Sequence, residues 1–95
     1  MEIHLTGRNL EVTPALKNYT TEKMQKLKQR DHSISAVHVS LHLEKLDHFA
    51  EGTLHFIGTD IHATAKATDM YSAIDLLIDK LVGQVIKHKD KIAGR

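Results

Sequence analysis

The chain has no cysteine and no tryptophan, a single proline, and only two tyrosines and two phenylalanines in 95 residues. Without thiols there is no disulfide, thiolate zinc site, iron–sulfur cluster or cysteine nucleophile. Aromatics at 4% argue against an aromatic-lined ligand pocket. They argue equally against base stacking as the main mode of nucleic-acid recognition. No apolar run approaches the ~20 residues that span a bilayer. No basic stretch followed by an apolar segment opens the chain as a secretory signal would. The expectation is a cytoplasmic protein with no membrane contact, no cofactor and no small-molecule substrate.

What is present is an ordinary globular composition, 41% hydrophobic and 26% charged, which excludes a disordered chain. Its length allows one domain over residues 1–95 with one core. A domain of this size buries about 60–65% of the surface it exposes when unfolded. The net charge of +1 conceals a strong asymmetry. Residues 1–30 are net +3, residues 31–79 net −6, and residues 80–95 net +4. If the basic ends meet in space, the surface is polarised.

Periodicity orders the elements. Residues 2–6 alternate polar and apolar as a half-buried strand, punctuated by Gly7-Arg8-Asn9. Thr13-Pro14 reads as an N-cap followed by proline at the first helical position. It opens a helix over 14–30 in which Leu16, Tyr19, Thr20, Met24 and Leu27 share one side, and Asp31-His32-Ser33 closes it. Residues 34–45 alternate strongly, with Val37, Val39, Leu41 and Leu43 against His38, Ser40, His42 and Glu44. A loop at 46–51 with Asp47 and Gly52 as breakers, a strand at 52–58, a turn at Gly58-Thr59-Asp60 and a strand at 61–67 follow. Thr68-Asp69 caps a second helix over 69–92, with Tyr71, Ile74, Leu77, Ile78, Leu81, Val85 and Ile86 in its apolar stripe and Gly94 past its end. The order is β-α-β-β-β-α. One apolar and one polar face per strand predict an antiparallel four-stranded α+β sheet, with both helices on one face and the other wet. The alanines at 63, 65 and 67 let a helix approach closely.

Two basic stripes stand out. On the second helix Lys80, Lys87 and Lys91 fall within about 40° of one another and span roughly 16 Å. His88 lies on their near flank, and Lys89 points elsewhere. On the first helix Lys23, Lys26 and Arg30 continue from Tyr19, with Lys17 and Lys28 on the other flank. Cations near helix C-termini are favourable on electrostatic grounds alone. Two such stripes side by side nevertheless suit a phosphate backbone, and lysine in place of arginine favours point-charge attraction over base reading. The histidines His38, His42, His55 and His62, with His4 beside them, project to the open sheet face. Residues four apart on a strand are ~13 Å apart, so His38 and His42 share no metal, and no metal site is expected. Ser33, Ser40 and Ser72 have no nucleophile-elbow context and no glycine-rich phosphate loop is present, so no catalytic residue and no enzyme is expected.

The string Asp69-Met70-Tyr71-Ser72-Ala73-Ile74-Asp75, continued by Asp79-Lys80-Leu81 and Lys87-His88-Lys89, resembles the hibernation promoting factor family of bacterial ribosome-associated proteins, also labelled the sigma-54 modulation protein family. Thr6-Gly7-Arg8-Asn9, Thr13-Pro14-Ala15-Leu16, Glu44-Lys45 and Ile61-His62-Ala63 are similar to that family as well, so the resemblance covers essentially the whole chain. It implies a β-α-β-β-β-α fold with both helices on one side of the sheet. It implies binding to the small ribosomal subunit and its rRNA, in the channel that messenger and transfer RNA use, with translation silenced in stationary phase or stress. The chain stops at Arg95, just after the second helix, and so resembles the short members that, with a modulation-factor partner, favour inactive ribosome dimers.

By the same resemblance the RNA contacts fall on Lys23 and Lys26 of the first helix and on Lys80, Lys87, His88, Lys89 and Lys91 of the second, with Arg8 and Arg30 as further matches. Where many members carry a basic residue between the two halves of the second-helix motif, this chain has Gly83. Two other classes stay open on the residues alone. One is a general double-stranded RNA-binding module. The other is a protein-interaction regulator working through the acidic, histidine-rich sheet face.

Overall fold

Both helices begin where a capping side chain stands ready. The Leu16 amide donates to Thr13 Oγ1 at 3.2 Å, and Pro14 opens α1 (Pro14–Arg30). Asp69 accepts from the Ser72 amide at 2.9 Å and from its hydroxyl at 2.7 Å, opening α2 (Met70–Ala93). These Ser72 hydrogen bonds hold the Asp69 carboxyl below the ordinary carboxylate range. That stabilisation is present at neutral pH and is lost as pH falls through the lowered value. The computed structural model describes residues 1–30 and 33–93. The closing turn at Asp31-His32 and the glycine at 94 lie outside the described residues, as does the side chain of Lys91.

The strands are β1 (Glu2–Arg8), β2 (Ile34–Glu44), β3 (Asp47–Phe56) and β4 (Thr59–Ala67), side by side in that order. The element order is the expected β-α-β-β-β-α, but the sheet is mixed. β2–β3 and β3–β4 are antiparallel, whereas β1 and β2 run parallel. Alternation reports which face a side chain takes and says nothing of strand direction. Here α1 carries the chain back along the sheet, so β2 starts from the same end as β1. The two hairpins that follow then bring α2 back in the same direction as α1.

Three boundaries differ from expectation. Gly7 and Arg8 continue β1, and the turn falls at Asn9, with φ 62°. Gly7 is required by a close approach, since a Cβ there would lie 2.7 Å from the Leu10 carbonyl oxygen and 2.8 Å from Val12. The segment 46–51 is not a loop. Glu44 pairs with Asp47 across a two-residue turn that Lys45 closes with φ 56°, and β3 starts at once. Gly52 is no breaker either: it lies mid-strand beneath α2, where a Cβ would come within 3.2 Å of Leu77 and 3.3 Å of Leu81. The second hairpin turns at Ile57-Gly58, with Phe56 paired to Thr59.

The core lies between the sheet and the two helices. α1 contributes Leu16, Met24 and Leu27, and α2 contributes Met70, Ala73, Ile74, Leu77, Ile78, Leu81 and Val85. They meet Val37, Val39, Leu41, Leu54, Phe56 and Ile61, with Ala63 and Ala65 as the floor that lets α2 sit close. Tyr71 and Ile86, expected in the apolar stripe, lie at its margins and are exposed. The opposite sheet face carries no element among the described residues.

Ile57 is the strained point of this frame. Its φ is 49°, a left-handed conformation that costs a β-branched residue about 1–2 kcal/mol. Asparagine before glycine is the preferred pair for such a two-residue hairpin turn. Ile57→Asn therefore stabilises the domain by about 1 kcal/mol, raising Tm by roughly 4–8 °C in a thermal unfolding scan. An unchanged or lower Tm contradicts strain at this turn.

Candidate nucleic-acid interface

The two helices form one outer surface, and Lys26 and Arg30 of α1 and Lys87 and Lys89 of α2 stand exposed on it. Its N-terminal half is closed by a side-chain cluster. The Tyr19 hydroxyl donates to Asp75 Oδ1 at 2.7 Å, and Lys23 Nζ lies 3.5 Å from the same oxygen and 5.3 Å above the Tyr19 ring. Tyr71 meets Tyr19 edge-on at 4.9 Å between ring centres. The hydrogen bond to Asp75 raises the Tyr19 hydroxyl above its ordinary value, and the charge of Asp75 does the same for Lys23. Both effects stabilise the fold at neutral pH and are lost only as pH climbs through the raised values. Lys23 is thus half-buried and ion-paired. It steadies the junction of α1 and α2 and does not stand open to a phosphate.

The remaining predicted contacts separate into groups. Lys26, Arg30, Lys87 and Lys89 are exposed, in the C-terminal halves of the helices. Because α1 and α2 run in the same direction, their negative dipole ends lie at the same end of the domain, where cations are favoured. Lys80 is exposed but leans over the sheet edge, donating to the Thr64 carbonyl at 2.6 Å. Gln84 donates to the His62 carbonyl at 2.9 Å, so two side chains of α2 occupy the outward carbonyls of edge strand β4. This is a recognised guard against edge-to-edge pairing. His88 is half-buried with its ring 5.7 Å from that of Phe56, and it lines a cleft of about 490 Å³ with Ile61, Gln84 and Lys87. Lys28, on the other flank of α1, donates to the Ile34 carbonyl at 3.1 Å.

Arg8 does not join the others. By alternation it falls on the open sheet face, in register with His42, Phe49 and Lys66. Tyr71, expected in the buried stripe, is instead 42% exposed on the helix surface against Tyr19. Gly83 is exposed between Lys80 and Lys87, with nothing within 4 Å of a Cβ built there.

The chain is thus a small α+β domain with a cationic helical face and a separate polar sheet face. It belongs to the Sigma 54 modulation protein / S30EA ribosomal protein family, whose model matches residues 3–93. It is 49% identical over 92 residues to the ribosome hibernation promoting factor of Escherichia coli K12, covering 97% of each chain. It is 45% identical to the factor of the same name from Azotobacter vinelandii, over 96% of this chain and 85% of that one. In structure it is similar to a ribosomal subunit interface protein from Coxiella burnetii, with TM-score 0.89, 34% identity, and 94% and 98% of the two chains covered. It is also similar to the N-terminal domain of Thermus thermophilus Protein Y, with TM-score 0.84, 31% identity, and 93% and 99% covered.

Proposed function

We propose that the protein is a ribosome hibernation factor. The observation that carries this reading is the 49% identity to a ribosome hibernation promoting factor along 97% of both chains. On this reading the helix face lies against rRNA of the small subunit, in the channel used by messenger and transfer RNA. A folded domain seated there excludes both. The block is steric and needs no catalytic group, and its location is the cytoplasm, where ribosomes work. No helix among the described residues is long and apolar enough to cross a membrane.

The arrangement of charge supports the orientation. The exposed cations Lys26, Arg30 and Lys87 stand on the helices, whereas acidic side chains of the middle segment, such as Glu51 and Asp60, stand on the sheet face. Lysine-rich contact with phosphate gives affinity without sequence reading. Promotion of inactive ribosome dimers, with a modulation-factor partner, completes the proposal.

The test is competition. Small subunits preloaded with messenger RNA and initiator transfer RNA should exclude the protein, and the protein added first should exclude the transfer RNA. Simultaneous binding of both at full occupancy contradicts the channel as the site. Gly83→Arg offers a gain of function within the same assay. The site is open, arginine is a better helix former than glycine by about 0.5–1 kcal/mol, and the new cation falls between Lys80 and Lys87. Affinity for the small subunit should rise several-fold and Tm should rise with it. A variant that is more stable yet binds no better places this stretch of α2 away from RNA.

A further inference from the structure

The sheet face turned away from the helices carries a second, independent feature. The register aligns His4, His38, Thr53 and His62 in one row across all four strands, with Thr6 and Ser40 in the next. Together they line a shallow dish of about 160 Å³ near the centre of the sheet. The rings of His4 and His38 are stacked 4.6 Å apart and 9° from parallel, and His55 meets His38 edge-on at 5.4 Å. We propose that this dish is a proton-dependent binding site for a phosphate-type oxyanion.

The donor set decides the ligand. The hydroxyls of Thr6 and Ser40 can turn to donate, that of Thr53 is within hydrogen-bond distance of His62 Nδ1 at 2.9 Å, and a protonated imidazole donates from both ring nitrogens. With its three rings charged, the dish offers hydrogen-bond donors and positive charge to a ligand that has only acceptors. With the rings neutral the hydroxyls and one N–H per ring remain, but the positive charge is gone and Glu51, the carboxylate among the described lining residues, leaves the dish negative. Histidine is the side chain that changes charge between pH 5 and 8. Two protonated rings 4.6 Å apart repel each other, and an anion bound at their edges, over the dish, relieves that repulsion. Proton uptake and anion binding therefore favour each other reciprocally.

A metal ion fits less well. Stacked rings point their nitrogens along parallel planes and do not converge, and the His62 Nδ1 is 2.9 Å from Thr53 Oγ1. Among the described residues no group of three or more histidines and carboxylates is arranged to hold a metal.

The charges around the dish set its balance. From β1, Glu2 approaches His4 Nε2 at 3.1 Å, and Arg8 stands at the strand end. From β2, His42 is stacked on Phe49 and buried, with its unpartnered Nδ1 3.7 Å from Glu51, and Glu44 lies at the far end. From β3 and β4, His55 is held by Asp60, and Lys66 lies in the row of His42. Among the described residues no helix side chain lines this dish.

The experiment titrates the full chain with inorganic phosphate at constant ionic strength and pH 5.5 and 8.0, following the histidine ring signals by NMR. Sulfate, a dianion at both pH values, serves as control because the second proton of a phosphate group titrates near pH 6. Both anions should bind at least tenfold more tightly at pH 5.5, moving the rings of His4, His38 and His62. His38→Gln and His4→Gln should each weaken binding about tenfold at pH 5.5, and Glu51→Gln should tighten it several-fold. A short single-stranded RNA tested alongside distinguishes the source. The same pH dependence on the same rings marks backbone phosphate as the ligand, and binding of the free anions alone marks a small-ion site. Affinity equal at both pH values, loss of binding in Lys87→Glu but not in His38→Gln, or ring shifts with zinc and none with phosphate overturns the proposal.

Discussion

Reversing the charge of Lys26 and Lys87 together is expected to lower affinity for the small ribosomal subunit, the proposed target, by on the order of a hundredfold and to leave the domain folded. Each side chain is exposed, and neither takes part in the core. On the proposed reading each reversal would remove one phosphate contact and add one repulsion, together worth about a factor of ten at moderate salt. The slope of log affinity against log salt should also become shallower by about 2. The informative comparison is Lys23→Gln, a change of similar size on the same face. Lys23 already has Asp75 as its partner, so its loss should appear as reduced thermal stability at the junction of α1 and α2 and only weakly in binding. Equal binding losses for Lys23→Gln and for the double reversal would contradict the division of roles drawn from the geometry. Binding by circular-dichroism-verified variants in a filter or gradient assay measures it.

The second large effect is on stability. Leu77→Ala is expected to cost about 2–5 kcal/mol, because Leu77 is fully buried over the centre of the sheet. Domains of this kind have about 5–15 kcal/mol in total, so the variant loses a large share of its margin. Tm should fall by roughly 10–30 °C. The site allows a sharper test through Gly52. A methyl group there would lie 3.2 and 3.4 Å from the two terminal carbons of Leu77, so Gly52→Ala alone requires Leu77 to give by a few tenths of an ångström. In the Leu77→Ala background most of that crowding is gone, and the same methyl group partly fills the cavity. Gly52→Ala should then be more favourable by about 1 kcal/mol than in the parent protein, a non-additivity that marks direct contact. Additive effects of the two substitutions would contradict the close seating of α2 on β3.

Local chemistry is legible in the sequence, and contacts with distant partners are not. Thr13-Pro14 and Asp69 marked both helix starts, since a cap acts within three residues of itself. The alternation of β2 and β4 placed their faces correctly. Strand direction was invisible, because a parallel and an antiparallel neighbour impose the same alternation. β3 was cut short since its inward residues Ala50 and Gly52 are small, the bulk of the contact being supplied by Leu77 and Leu81 far along the chain. That misreading also hid Phe49, whose ring covers His42 and buries it on a face otherwise wet. In the candidate interface the positions of the cations were legible from helical spacing. Their commitments were not. Lys23 is tied to Asp75, Lys80 to the carbonyl of Thr64, and Arg8 was turned to the other face by two further residues of strand.

The most direct measurement of the central claim is sedimentation of the purified protein with isolated ribosomes through sucrose gradients at low and high salt. The account predicts co-sedimentation with the small subunit and with whole ribosomes at low salt, release at high salt, and loss of both with the Lys26→Glu, Lys87→Glu variant. Protein that stays at the top of the gradient at every salt concentration, or that binds free RNA duplexes as well as it binds ribosomes, would contradict it.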